Sequence, residues 1–238
     1  RDQPRSRGLG DVYKRQQSDL AAYRQDSTDY FTAWVHQIKT PLSVMRLQLQ
    51  SEDTPENRAM LAELFQMEQY VTMALSYARL GNPTKDLVLT RVPLDPVIRQ
   101  AIRDFAPLLI RKKLRLQYEP TAESALTDSK WLLFILHQLL SNAVKYTDRG
   151  RVSIRVTSAP AIIVADTGIG IAPEDVPRVF EKGYTGYNGR GGQKSTGLGL
   201  YLVHQTAEML HCRVSLSSRI GEGTSVTIDL HQEELGKE

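Results

Sequence analysis

Asp166-Thr167-Gly168-Ile169-Gly170-Ile171 follows the apolar run Ile162-Ile163-Val164, which puts a carboxylate at a strand end with glycines just beyond it. A carboxylate there can accept a hydrogen bond from an exocyclic amine, and glycines let backbone approach a ligand closely. Asp and Gly are also ordinary turn residues, so alone this cluster reads equally as a strand-to-helix turn. Lys194-Ser195-Thr196-Gly197-Leu198-Gly199-Leu200 opens a predicted helix. Free N–H groups at a helix N-terminus, reached past glycine, form a phosphate site. The spacing is not that of a P-loop, which disfavours a Walker-type fold. Asn142 and Lys145, in Ser141-Asn142-Ala143-Val144-Lys145-Tyr146, share one face late in another predicted helix. They offer an amide oxygen to a metal and a cation to phosphate, although an exposed helix edge would look the same.

The elements that must carry these clusters follow from periodicity. Val35, Ile38, Leu42, Met45 and Leu49 form one helical stripe, and Leu61, Leu64, Phe65, Val71, Leu75 and Ala78 form another. Between them Thr54-Pro55 is a helix start, and Gly81-Asn82-Pro83 is a stop. Two helices on a short turn cannot enclose a core alone, so the expectation is a homodimeric four-helix bundle. A hairpin packed on the rest of the same chain is the alternative. Beyond Pro83 the pattern predicts strands over 87–90, 114–119, 151–157, 161–165, 213–218 and 224–230. Helices are predicted over 94–112 (despite Pro107), 129–146 with Asp128 as cap, and 197–210. Interleaved helices and a mixed sheet make this half an α/β sandwich.

Bulk properties exclude several classes. The longest apolar runs, 131–136 and 161–165, are too short to cross a bilayer. The lone Cys212 forms no intramolecular disulfide and reads as a small, partly buried residue leading into a strand. The net charge of +3 is accounted for by Arg1, Arg5, Arg7, Lys14 and Arg15 against Asp2 and Asp11, so no nucleic-acid footprint remains. Residues 6–16 resemble one reading frame of a transposon-based sequencing adapter, and residues 1–16 are set aside as an artefact. An uninterrupted genomic frame through Gln16 would overturn the artefact reading; if that reading holds, the expectation is that the true N-terminus, with any sensor or transmembrane segment, is missing.

The order Asn142…Lys145-Tyr146, Asp166-x-Gly168-x-Gly170, Phe180, Gly197-x-Gly199, Gly221-x-Gly223-Thr224 resembles the ATP-binding boxes of bacterial sensor histidine kinases. Any single box is weak, whereas several in one order are specific, and the resemblance covers residues 20–230. It implies an α+β chain: a helical-hairpin dimerisation domain over 17–81, then an ATP-binding sandwich of the histidine kinase/Hsp90-like type over 82–238. Asp166 would bind the adenine amino group, with Thr224 assisting through water. Asn142 would hold Mg2+, Lys145 would face the phosphates, and Tyr146 would flank the nucleotide. Gly168, Gly170, Gly197, Leu198, Gly199 and Leu200 would line the site. Lys182 begins the stretch to Thr196 that would form a lid over ATP, within which Arg190 and Lys194 are further candidates toward the γ-phosphate.

His36-Gln37-Ile38-Lys39-Thr40-Pro41-Leu42 resembles the phospho-acceptor box of the same family. A neutral imidazole nitrogen can attack phosphorus in line, and Pro41 is expected to distort the helix around it. His137, His204, His211 and His231 sit in no such box and read as ordinary helix or surface residues. Gln37 stands where the family commonly has Glu or Asp; it can accept the imidazole N–H hydrogen bond but cannot take up the proton. Thr40 resembles the position that orients water for dephosphorylating a response regulator. Gln138 stands where many members carry Asn, and Ser195 replaces a glycine.

The implied activity is ATP-dependent autophosphorylation of His36 and transfer to a response-regulator aspartate, at the cytoplasmic face of the bacterial membrane. The box His-Gln-x-Lys-Thr-Pro also resembles a subgroup partnered with antibiotic exporters of the ABC type. The rivals are a nucleotide-binding pseudokinase scaffold, kept open by Gln37, and a related chaperone, topoisomerase or mismatch-repair ATPase, disfavoured by the His36 hairpin.

Overall fold

Thr54 sets where the second helix of the hairpin begins. The computed structural model describes residues 28–80, 87–186 and 196–231, in two compact units divided after Lys85. In the first unit, α1 is helical over residues 28–50 and α2 spans Pro55–Leu80. The Thr54 hydroxyl accepts the Asn57 N–H at 3.1 Å, and Pro55 opens the first turn, where its missing donor costs nothing. Val35 and Leu42 on α1 and Ala62, Leu64 and Met73 on α2 are buried. Arg46 pairs with Glu68, and the Thr28 hydroxyl donates to the Ala78 carbonyl at 3.3 Å, tying the open end of the hairpin. The helix runs unbroken through Pro41. Pro41 is exposed, so the Gln37 carbonyl that loses its usual donor can be met by water, and no interruption of the turn is needed.

The second unit runs β1 (Thr90–Pro93), α3 (Leu94–Arg111), β2 (Arg115–Tyr118), β3 (Ser124–Thr127), α4 (Ser129–Tyr146), β4 (Arg151–Val156) and β5 (Ala161–Asp166). A short 3-10 turn (Val176–Arg178), α5 (Gly199–Met209), β6 (Arg213–Arg219) and β7 (Gly223–Asp229) complete it. The main sheet has the order β2-β4-β5-β7-β6, parallel only between β2 and β4. Val152, Ile154, Ile162, Val164, Val226 and Ile228 alternate along their strands and are buried together beneath the helices. The chain is therefore mixed α+β, a helical hairpin followed by a helix-covered mixed sheet.

α3 buries Leu94, Ile98, Ala101, Phe105 and Leu108 along one face, while Pro107 lies on the exposed face, where water can meet the freed carbonyl. α4 packs against α3, α5 and β5 and is apolar nearly all round, as a central helix must be.

The strand expected at 87–90 instead occupies Thr90–Pro93, paired with β3, which the sequence did not announce. Asp128 explains the shift. Its Oδ1 accepts from Lys130 N at 2.9 Å and Trp131 N at 3.3 Å, capping α4. Its Oδ2 accepts from Val88 N at 2.9 Å, so that stretch spends its donor on a side chain rather than on a ladder. Cys212 is buried at the entry to β6, and burial pushes its thiol up to about 12, which suits a packing role and not a nucleophile. His137 bridges to Asp104 of α3 at 2.9 Å and packs edge-on against Phe105, a structural tie between helices.

Candidate functional site

Asp166 ends β5 half-buried, opposite Thr224 of β7 in the antiparallel register. Its Oδ1 accepts the Gly168 N–H at 2.8 Å, closing a tight turn as the chain leaves the sheet. Burial raises the carboxyl above its ordinary value, and the Gly168 N–H pulls partly the other way.

The glycines after Asp166 are needed for contact. A Cβ on Gly168 would lie 2.3 Å from the Tyr146 carbonyl oxygen, which accepts the Ile169 N–H at 3.1 Å. Gly170 has φ +72, and a Cβ there would lie 1.9 Å from the Arg219 carbonyl oxygen. Gly221 N then donates to Ile169 O at 2.8 Å. The Asp166 loop is thus wedged between the end of α4 and the β6–β7 hairpin, joining clusters that lie far apart in sequence.

Asn142, Lys145 and Tyr146 occupy the end of α4, half-buried. Lys145 Nζ lies 5.4 Å from the Tyr146 ring centroid, and burial lowers its pKa. α5 packs on α4. It begins at Gly199, two residues later than expected, with Leu198 as an N-cap that provides no side-chain hydrogen bond. The first-turn N–H groups of Gly199 and Leu200 therefore carry the positive end of the helix dipole. The buried Gln138 of α4 places Oε1 3.3 Å from where a Gly199 Cβ would sit. Gly197 O accepts from Gly183 N at 3.0 Å, next to the exposed Lys182. Phe180 and His204 rings lie 5.5 Å apart. Arg190, Lys194 and Ser195 lie outside the described residues.

His36, Gln37 and Thr40 are exposed together on α1 in the other unit. The Thr40 hydroxyl donates to the His36 carbonyl at 3.2 Å, leaving the imidazole outside that bond.

Sequence reasoning missed Lys112 and Ser218. Lys112 Nζ donates to the carbonyls of Val144 at 2.7 Å, Thr147 at 3.1 Å and Lys145 at 3.3 Å, and approaches Asp148 at 3.3 Å. An ammonium at a helix C-terminus satisfies orphan carbonyls and suits the dipole. Lys112→Met is expected to cost about 2 kcal/mol in urea unfolding, since a charged donor to several carbonyls is lost. A stability equal to the parent's would show that water replaces it freely.

Residues 127–234 match the family model described as histidine kinase-, DNA gyrase B-, and HSP90-like ATPase. This stretch holds α4, the Asp166 loop, α5 and the β6–β7 hairpin. Over a longer span the chain is similar to the sensor protein BceS of Halalkalibacterium halodurans. The identity is 36% over 213 residues, 88% of this chain and 64% of that protein. It is also 36% identical over 203 residues to the sensor histidine kinase YxdK of Bacillus subtilis, covering 83% of this chain and 62% of that protein. A crystal structure of full-length ShkA in complex with AMPPNP matches with a TM-score of 0.58 at 25% identity, covering 85% of this chain and 45% of that one. The relatives are named sensor proteins and sensor histidine kinases, and the chain spans 62–64% of the length of those two.

Proposed function

We propose that the chain is the catalytic core of a two-component sensor histidine kinase that uses Mg·ATP to phosphorylate its own His36. The observation that carries this reading is the convergence of the α4 end, the Asp166 loop and the Thr224 hairpin, with the uncapped α5 N-terminus beside α4. Residues 82–238 are the ATP-binding domain, and 17–81 the dimerisation and phospho-acceptor domain. Asp166 accepts the adenine amino group, with Thr224 beside it, and Tyr146 flanks the base. Lys145 and Lys182 offer charge to the phosphates, and the Gly197–Leu200 turn offers backbone N–H groups.

Among the described residues no cluster of three or more His, Cys, Asp or Glu could hold a metal. Mg2+ does not need one, because it binds through one or two protein oxygens plus substrate phosphates. The half-exposed Asn142 amide oxygen fits that role. When bound, Mg2+ neutralises charge on the phosphates.

In the transfer step the His36 nitrogen lone pair forms a bond to the γ-phosphorus and the bond to the β–γ bridging oxygen breaks. ADP leaves and the imidazole proton passes to solvent. The phosphoryl group then goes to an aspartate of a response regulator. Thr40 orients water for the separate hydrolysis of that aspartyl phosphate, which releases inorganic phosphate and restores the regulator's carboxylate.

Homodimerisation fits unit one, where Met45, Leu47, Met60 and Met67 are half or more exposed on helices that a four-helix bundle would cover. No described helix is long and apolar enough to cross a membrane. Placement at the cytoplasmic face, through a segment outside this sequence, and an exporter partner rest on the His36 box.

Incubation with γ-labelled Mg·ATP tests the reading. Acid-labile, base-stable label on the chain is the expected result; nucleotide binding without label would favour a scaffold. Gln37→Glu is expected to raise the labelling rate about tenfold or more, because a carboxylate beside His36 supplies the proton acceptor that an amide cannot. An unchanged or lower rate would show that solvent already removes the proton efficiently.

A further inference from the structure

Ser218 carries an arrangement of hydrogens that fixes the polarity of the pocket edge. The register β5–β7–β6 sets Asp166, Thr224 and Ser218 side by side in one row. Ser218 Oγ accepts the Ile171 N–H at 2.9 Å, lies 2.8 Å from the Gly223 carbonyl oxygen, and lies 2.9 Å from Thr224 Oγ1. A serine hydroxyl has one hydrogen. A carbonyl can only accept, so that hydrogen goes to Gly223; the contact with Thr224 is then left for Thr224 to donate. Were Ser218 to donate to Thr224 instead, two acceptor oxygens would face each other at the Gly223 carbonyl with no hydrogen between them. Thr224 therefore spends its only hydrogen on Ser218, and any further group meeting its oxygen must be a donor.

We infer that Ser218 is a specificity-determining positioning residue, which acts through Thr224 to make the Asp166–Thr224 edge accept hydrogen bonds and not donate them. An all-acceptor edge suits a purine with an amino group at position 6 and rejects one with an oxo group there, as adenine and guanine differ. Ser218 also ties the end of the Asp166 loop, through Ile171, to the hairpin that carries Thr224, so the two acceptors hold their spacing. The inference rests on the nucleotide reading proposed above.

The test is calorimetric titration of the full chain with Mg·ADP and with Mg·GDP. The parent is expected to prefer ADP. Ser218→Ala frees the Thr224 hydroxyl to rotate and donate, and should lower the ADP:GDP affinity ratio by about fivefold to tenfold, the weight of one net hydrogen bond. Ser218→Thr keeps a hydroxyl and should keep the parent ratio. Thr224→Val should lower the ratio too, and adding Ser218→Ala to it should change nothing further, because the residues act as one unit. If Ser218→Ala weakens ADP and GDP by the same factor, its role is only structural and the inference fails. An unchanged ratio in Ser218→Ala also overturns it, as does an unchanged ratio in Thr224→Val, which decides alone if the serine variant does not fold. A parent chain that binds no ADP would sink the nucleotide reading itself, whereas normal ADP binding with an unaltered variant ratio sinks only the role of Ser218.

Discussion

His36→Gln is expected to abolish acid-labile label from γ-labelled Mg·ATP while leaving nucleotide affinity at the parent value. The side chain is exposed on α1, and the bond from Thr40 goes to its backbone carbonyl, not its ring. Glutamine is a good helix former, so the substitution removes no packing and should shift stability by no more than about 0.5 kcal/mol. What it removes is the nitrogen lone pair. An amide nitrogen shares its pair with the carbonyl and cannot attack phosphorus, so no phosphoramidate forms. Asn142→Ala is the complementary variant, expected to lose label through loss of the α4 amide oxygen proposed to hold Mg2+ while His36 stays intact. Label that persists in His36→Gln would place the acceptor on another residue. Loss of nucleotide binding in that variant would show that α1 contributes to the binding site.

How far the sequence carried the reading depended on how local each signal was. α4 was legible because Asp128 and the apolar run after it sit within one element, and cap and helix agree in the structure. The Asp166, Asn142 and Gly197 clusters could be picked out because each is a contiguous string. That the Asp166 loop lies against the end of α4 and the β6–β7 hairpin was carried only by the order of the clusters, through a family resemblance; the physical reason is the fit of Gly168 against Tyr146 and of Gly170 against Arg219. Lys112 was invisible because its partners are carbonyls more than thirty residues away, brought close only when α3 packs on α4. Ser218 was hidden among Ser215, Ser217 and Ser218 in β6, and only the register with Thr224 singles it out. The four residues of β3 were too few to show alternation. Pro41 does not break α1, since an exposed proline costs a helix one donor without having to interrupt it.

Asp166→Asn is expected to weaken ATP binding by about 10- to 100-fold, the range for losing a charge-assisted hydrogen bond. The same variant should make the nucleotide-free protein more stable at neutral pH. Both effects come from one cause. The folded carboxyl is raised above its unfolded value, chiefly by burial. Such a group favours the fold fully below its unfolded pKa and loses that contribution as pH rises through its folded pKa, so at pH 7 its charge opposes folding. Asparagine carries no charge to desolvate, and its side-chain oxygen can still accept the Gly168 N–H that closes the turn. Thermal melts should therefore show the variant above the parent at neutral pH, with the gap narrowing on acidification as Asp166 takes up its proton. ATP should raise the parent's midpoint by more than the variant's at the same concentration, because stabilisation by a ligand follows the ratio of its concentration to its Kd. A variant less stable than the parent at neutral pH would mean that the hydrogen bond from the Gly168 N–H more than compensates the buried charge. Asp166 would then hold its own loop together as much as it serves the nucleotide. The expected opposite result, a carboxylate kept at a cost in stability at the meeting point of α4, β5 and β7, is what a binding site produces when it holds an acceptor in place before its ligand arrives.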